Sequence, residues 1–218
     1  MTFRFRPAAA MALVAALALT GCKSEGDLVV DQGVGITAVR TLCPAVGVPD
    51  YTGNVTLFSQ PGAQTASALD VTGVITNVRP TCNETGAQVY SEATFDVIAT
   101  RRDASVARSV DLPYFVTVMQ GGSAVVSKQV GTARVNFAAG QDRATATARA
   151  GAYVDAAAAT LPAEIRDRIT KRRKAGDTDA ALDPLADPEV KAAIARATFE
   201  VLIGFQLTQE QLAYNATR

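Results

Sequence analysis

Between Val89 and Thr100 the chain alternates with a period of two. Val89, Ser91, Ala93, Phe95, Val97 and Ala99 fall on one side, Tyr90, Glu92, Thr94, Asp96, Ile98 and Thr100 on the other. Successive side chains of an extended strand point to opposite faces, whereas a helix would scatter this pattern around its axis. The stretch therefore predicts a strand with one small, apolar face for a core and one mostly polar face for solvent. A sheet wetted on one side is normally antiparallel.

The same period recurs elsewhere. Asn54–Ser59 and Leu69–Val78 read as strands, and Val110–Met119 sets Leu112, Tyr114, Val116 and Val118 on one face. Pro113 has no amide hydrogen, so that end of the strand is expected at a sheet edge or a bulge. Gly121-Gly122 predicts a hairpin returning through Ala124–Val130 and on to Phe137. Gly140-Gln141-Asp142 is a turn, Arg143–Val154 a weaker strand, and Arg101-Arg102-Asp103 reads as a hairpin turn. Phe199, Val201, Ile203, Phe205 and Leu207 mark a last strand.

A helical pattern interrupts these runs. Pro162 suits a first turn and Gly176 a stop, with Ile165 and Ile169 on one face. Glu164 with Arg168 and Asp167 with Lys171 are i,i+4 pairs. Asp187-Pro188 predicts a second start that buries Val190 and Ile194. Thr208 with Gln211 has the capping-box spacing for a final turn or two, leaving Leu212 and Tyr214 for packing. Seven or eight short strands with turn signals predict a mainly β chain. The expected fold is an antiparallel β-sandwich, immunoglobulin-like in the loose sense, with a short helical insertion over about 156–197. A small barrel is the alternative.

The N-terminus has three zones: Arg4 and Arg6, an almost wholly apolar run from Ala8 to Leu19, and Leu19-Thr20-Gly21-Cys22. The run has the length of a signal-peptide core and is short of the roughly 20 residues that span a bilayer. Leu19-Thr20-Gly21-Cys22 resembles the lipobox of bacterial lipoproteins. That resemblance implies a signal peptide over 1–21, cleavage before Cys22, and lipid on its sulfur and new amine. Two or three acyl chains give stable anchoring at about 0.8 kcal/mol per buried methylene. Lys23, where an aspartate would mark inner-membrane retention, implies the outer membrane, facing the periplasm. Residues 22–33 read as a lipidated tether and 34–218 as one domain. In broad layout this domain resembles small envelope lipoproteins of proteobacteria, a resemblance that carries no activity.

Lysine plus arginine and aspartate plus glutamate each number 21, and losing Arg4 and Arg6 leaves the mature chain slightly acidic. No basic excess points to nucleic acid. With Cys22 taken by lipid, Cys43 and Cys82 remain as a pair. An oxidising periplasm favours their disulfide over two free thiols, and no C-x-x-C spacing suggests redox work. Histidine is absent, which removes the usual general base and the commonest zinc ligand.

The remaining candidates have simpler explanations. Asp177, Asp179, Asp183, Asp187 and Glu189 could hold calcium, but they lack EF-hand spacing, and Asp-Pro pairs suit turns and caps. Lys171-Arg172-Arg173-Lys174 could meet anionic lipid, but cations also suit a helix C-terminus. Ser123 and Ser127 lie near Gly121-Gly122 without a nucleophile motif. Glu92, Asp96 and Asp111 could form a glycosidase pair, but solvent exposure on a polar strand face explains the first two. Tyr51, Tyr90, Tyr114, Tyr153 and Tyr214 could line a groove or belong to the core. The expected function is therefore a lipid-anchored, non-enzymatic binding or assembly module of the cell envelope, with no catalytic residue, metal or cofactor. Its expected partners are the membrane and another envelope protein. An accessory lipoprotein of a transport or secretion system and a cell-wall hydrolase are the alternatives.

Overall fold

The computed structural model describes residues 41–60, 62–171, 176–178 and 182–217. Cys22, the signal segment and the tether lie outside the described residues. The strands are β1 (Ala45–Gly47), β2 (Asn54–Phe58), β3 (Leu69–Asn83), β4 (Gln88–Arg101), β5 (Arg108–Gln120), β6 (Ala124–Phe137), β7 (Arg143–Asp155) and β8 (Phe199–Phe205). They form two four-stranded sheets, ordered β1-β8-β5-β6 and β2-β3-β4-β7. All pairings are antiparallel except β1 with β8. The sandwich and its helices up to Ile169 and from Asp183 on belong to one compact unit.

The period-two faces become the two walls of the core. Val89, Ser91, Ala93, Phe95, Val97 and Ala99 of β4 are all buried, as are Leu112, Tyr114, Val116 and Val118 of β5. Phe95 meets Tyr114 edge-on, with centroids 5.1 Å apart. Burying a side chain such as Phe95 or Phe205 contributes about 1.5–3 kcal/mol, and the edge-on pair about 0.5–1.5 more. Tyr114 also ties the sheets by a polar contact, its hydroxyl donating to the Arg149 carbonyl of β7 at 2.7 Å. Its cross-strand neighbour on β6 is Gly131. A Cβ there would lie 2.5 Å from the Tyr114 ring, so only glycine leaves the ring room.

The helices follow their sequence signals. Between β7 and β8 come α1 (Ala156–Ala159), α2 (Ala163–Thr170) and α3 (Pro188–Ala197). Ile165, Ile169, Val190, Ala193 and Ala197 build a second, small core with Leu161. Asp187 caps α3 by accepting from the Glu189 amide at 2.8 Å, and Pro188 takes the first helical position. α4 (Gln209–Thr217) opens on a reciprocal capping box: the Gln211 amide donates to Thr208 Oγ1 and the Thr208 amide to Gln211 Oε1. Tyr214 packs edge-on against Phe58, whereas Leu212 stays exposed.

Three features differ from the sequence reading. β3 runs past Val78 to Asn83, through a register shift at which Asn77 takes a positive φ. Pro113 lies in an interior strand: its carbonyl accepts from the Gln206 amide just where β8 ends, so its missing donor faces the end of a ladder. Arg101 is no part of a hairpin turn. β4 crosses there to the other sheet, and Arg101 is 2 % exposed. Its guanidinium donates to the carbonyls of Gln141, Val106, Ala104 and Ala138 and lies over the Phe137 ring. One buried cation thereby fastens the β4–β5 crossover to the β6–β7 turn.

Cys43 and Cys82 are bonded to each other. The bridge ties the segment entering β1 to the far end of β3. With the half-cystines 39 positions apart in sequence, chain entropy gives it roughly 4 kcal/mol.

Arg101→Met should destabilise the domain by at least about 2 kcal/mol, because hydrogen bonds from a charged donor are worth about 1.5–3 kcal/mol each. The exposed Arg102→Met should cost much less. Equal shifts of the two urea midpoints would show that Arg101 does not hold the crossover.

Candidate functional site

A sandwich has four sheet edges, and an open edge is a ready template for another chain. Here the edge strands are β1, β6, β2 and β7. β1 has three residues. β2 has five and is covered by α4, where Tyr214 meets Phe58 and the Asn215 amide donates to the Tyr51 and Asn54 carbonyls. β7 is linked to the other sheet through Tyr114 and Arg149. β6 is different. Every residue from Ala124 to Val130 is exposed, and among the described residues no strand pairs with its outer side.

Both faces of this half-strand are open. Gln129 and Ser127 lie opposite the buried Val116 and Val118, yet the second sheet does not cover them. On the other face Val130 lies opposite Phe115, and Phe115 opposite Gly204 of β8. Lys128 sets its ammonium 5.3 Å from the Phe115 ring centre. Val125, Val126 and Val130 are 63, 56 and 59 % exposed, a high share for three neighbouring valines. A register shift at Val118/Met119 leaves Val126 as the extra residue near the hairpin tip, and the straight edge begins at Ser127.

The tip is held in place. Gly121 and Gly122 have φ of 62° and 72°, which supplies the tight reversal. The Gly121 amide donates to the Thr198 carbonyl and the Gln120 side chain to the Arg196 carbonyl, at 3.0 and 2.6 Å. The open edge is thus presented by a braced hairpin.

The outer face of the second sheet is polar and internally paired. Asp96 accepts from Arg79, from Asn77 at 2.7 Å and from Thr147 at 3.0 Å. These contacts, led by Arg79, hold its carboxyl below the ordinary carboxylate range. Glu92 accepts from the Tyr90 hydroxyl at 2.8 Å and pairs with Arg149. That hydrogen bond, with burial, raises the Tyr90 phenol. Tyr90 and Tyr153 stack with centroids 4.7 Å apart. In the first sheet Asp111 meets Arg134 through two bonds of 2.7 and 2.8 Å, which lowers the Asp111 carboxyl.

The sequence candidates do not converge. Glu92 and Asp96 stand four residues apart on one strand, a span of about 13 Å, against the roughly 5 to 9.5 Å used in glycoside hydrolysis; Asp111 belongs to the other sheet. Asp183 and Asp187 serve as caps, Asp187 and Glu189 both pair with Arg168, and Asp179 lies outside the described residues. So do Arg172, Arg173 and Lys174. Ser123 closes the β5–β6 turn. Cys43, Cys82 and Glu84 come together, but the two sulfurs are spent on each other. The tyrosines are scattered: Tyr114 in the core, Tyr90 with Tyr153 on one face, Tyr214 on α4 against Phe58, and Tyr51 exposed. A shallow cleft of about 260 Å³ between β2 and α4 is lined by Phe58, Gln60, Gln64, Glu210, Gln211 and Tyr214. The chain matches no family model, no curated protein and no solved structure.

Because Asp96 and Asp111 titrate below their unfolded values, their contribution is complete above the ordinary carboxylate range and disappears as pH falls through the lowered folded values. Asp96→Asn with Asp111→Asn should therefore flatten the acid limb of Tm against pH and leave the slope near neutrality unchanged. Parallel acid limbs for wild type and variant would contradict this assignment.

Proposed function

We propose that this chain is a lipid-anchored protein of the bacterial cell envelope whose β-sandwich works as a non-enzymatic binding or assembly module. Acyl chains on Cys22 hold it to the periplasmic face of the outer membrane, and another polypeptide binds at the β6 edge. The observation that carries the binding role is the exposure of Ala124–Val130 on an unpaired edge. Addition of a strand there satisfies the free backbone groups, and the Val130–Phe115 row offers side-chain contact. The order of basic residues, apolar run and Leu19-Thr20-Gly21-Cys22 supports the anchor. The Cys43–Cys82 bond suits an oxidising compartment. An accessory role beside a transport or secretion assembly is a narrower form of the same reading.

Intact-mass analysis of the membrane fraction tests the anchor. The expected product begins at Cys22 and carries acyl mass, and Cys22→Ser loses both the mass and the membrane association. An unlipidated wild-type chain in the soluble fraction would overturn it. The edge has its own test. A photoreactive residue at position 126 should yield a discrete adduct in cells, one that Val130→Lys abolishes and that position 74, on the opposite sheet, does not give. Adducts of equal yield at both positions would remove the edge from the mechanism.

A further inference from the structure

We infer that the cleft between β2 and α4 is a binding site for one uncharged sugar ring, a hexose or an N-acetylhexosamine. The cleft belongs to the second sheet and is separate from the β6 edge, so it adds to the reading above without resting on it. Three features of its lining select this ligand class.

The first is charge. Among the described residues that line the cleft, Glu210 alone carries a formal charge. No lysine or arginine is there to meet a phosphate, sulfate or carboxylate, and Glu210 itself repels anions. One of its oxygens already accepts from the Gln64 side chain at 3.4 Å. The lining therefore suits a neutral ligand.

The second is the pairing of aromatic rings with carboxamides. Phe58 and Tyr214 meet edge-on, with centroids 5.3 Å apart, and give the cleft an apolar wall. Gln60, Gln64 and Gln211 stand beside it. A pyranose has the same two-sidedness, with C–H groups on one face and hydroxyls around its rim. Each carboxamide both donates and accepts, and so does each hydroxyl, so the two match in either direction. An ammonium group only donates and would leave the amide N–H groups facing it without an acceptor.

The third is order before binding. In the capping box of α4 the Gln211 Oε1 accepts from the Thr208 amide at 2.9 Å, which turns the Nε2 end of the same group towards a ligand's oxygen. Tyr214 is steadied by its neighbour Asn215, whose buried side chain donates to the Tyr51 and Asn54 carbonyls. α4 is thus clamped to β2, and little ordering remains to oppose binding. At about 260 Å³ the cleft is smaller than the roughly 300–1,000 Å³ of sites for drug-sized ligands, which suits a single ring. So few contacts put Kd at about 1 mM.

The test is saturation-transfer NMR on the full chain, kept in a detergent without a sugar headgroup. The probes are glucose, galactose and N-acetylglucosamine, with choline as the cationic comparison. Transfer to the ring protons of at least one sugar is expected. Gln60→Ala with Gln64→Ala, both at exposed positions, should weaken it at least about fivefold, with an unchanged melting curve. Tyr153→Ala, which removes an exposed ring elsewhere on the sheet, should leave it as in wild type. Tighter binding of diacetylchitobiose than of N-acetylglucosamine would assign the cleft to a polymeric glycan, and equal binding to a free sugar. Absence of transfer to all three sugars overturns the inference. So does transfer that the glutamine pair leaves unchanged, transfer lost with Tyr153, or a preference for choline.

Discussion

The contact between β4 and β5 through Phe95 and Tyr114 sets the separation of the two sheets. Tyr114 is the more demanding of the two. Its ring fills core volume, its hydroxyl reaches a carbonyl in the opposite sheet, and its path crosses β6 only where Gly131 has no side chain. A buried hydroxyl without a partner would cost about 1–3 kcal/mol, so the choice of carbonyl also fixes where β7 lies against β5. Burial raises the Tyr114 phenol, which keeps it a donor throughout the physiological range.

Much of this was legible from residue spacing. The alternation from Val89 to Thr100 predicted the buried face of β4 residue by residue, and Leu112, Tyr114, Val116 and Val118 did the same for β5. The capping box of α4 and the Asp187-Pro188 start of α3 are local interactions, and short spacing reports them well. Arg101 was misread because two arginines and an aspartate resemble a turn. Yet the period that places Val97 and Ala99 inside continues to Arg101. Strict parity would have placed a guanidinium in the interior, and its carbonyl partners come from segments that only the fold brings together. Pro113 was misplaced for a related reason. Lack of a donor demands an absent neighbour, and a ladder that stops satisfies this as well as a sheet edge does.

The open edge was least legible. Ala124–Val130 was expected to be a returning strand, and it is one. Whether a strand lies at an edge depends on strand order, and strand order depends on long-range pairing that local pattern does not record. One hint was present: Val125, Val126, Ser127, Lys128, Gln129 and Val130 do not alternate strictly, as a half-buried strand would. The two sheets also differ in their outer faces. On the second, carboxylates, guanidiniums and threonines answer one another across the strands. On the first, Asp111 with Arg134 and Ser109 with Asn136 do the same at one end, while the other end carries exposed valines and Phe115 under the Lys128 ammonium. Scattered surface hydrophobics are ordinary, and a contiguous set on a sheet edge is not.

The attachment of the β5–β6 hairpin to α3 has a consequence for local stability. The hairpin tip is bonded to Thr198 and Arg196, at the end of a helix whose apolar side packs into the small core around Val190 rather than into the sandwich. Small clusters open at lower free energy than large ones. The tip of β6 therefore shares its opening equilibrium with the inserted helices, while the base of the same strand, around Val135 and Phe137, exchanges with the main core. One strand thus spans two cooperative units, and the edge it presents is only as rigid as the weaker of them.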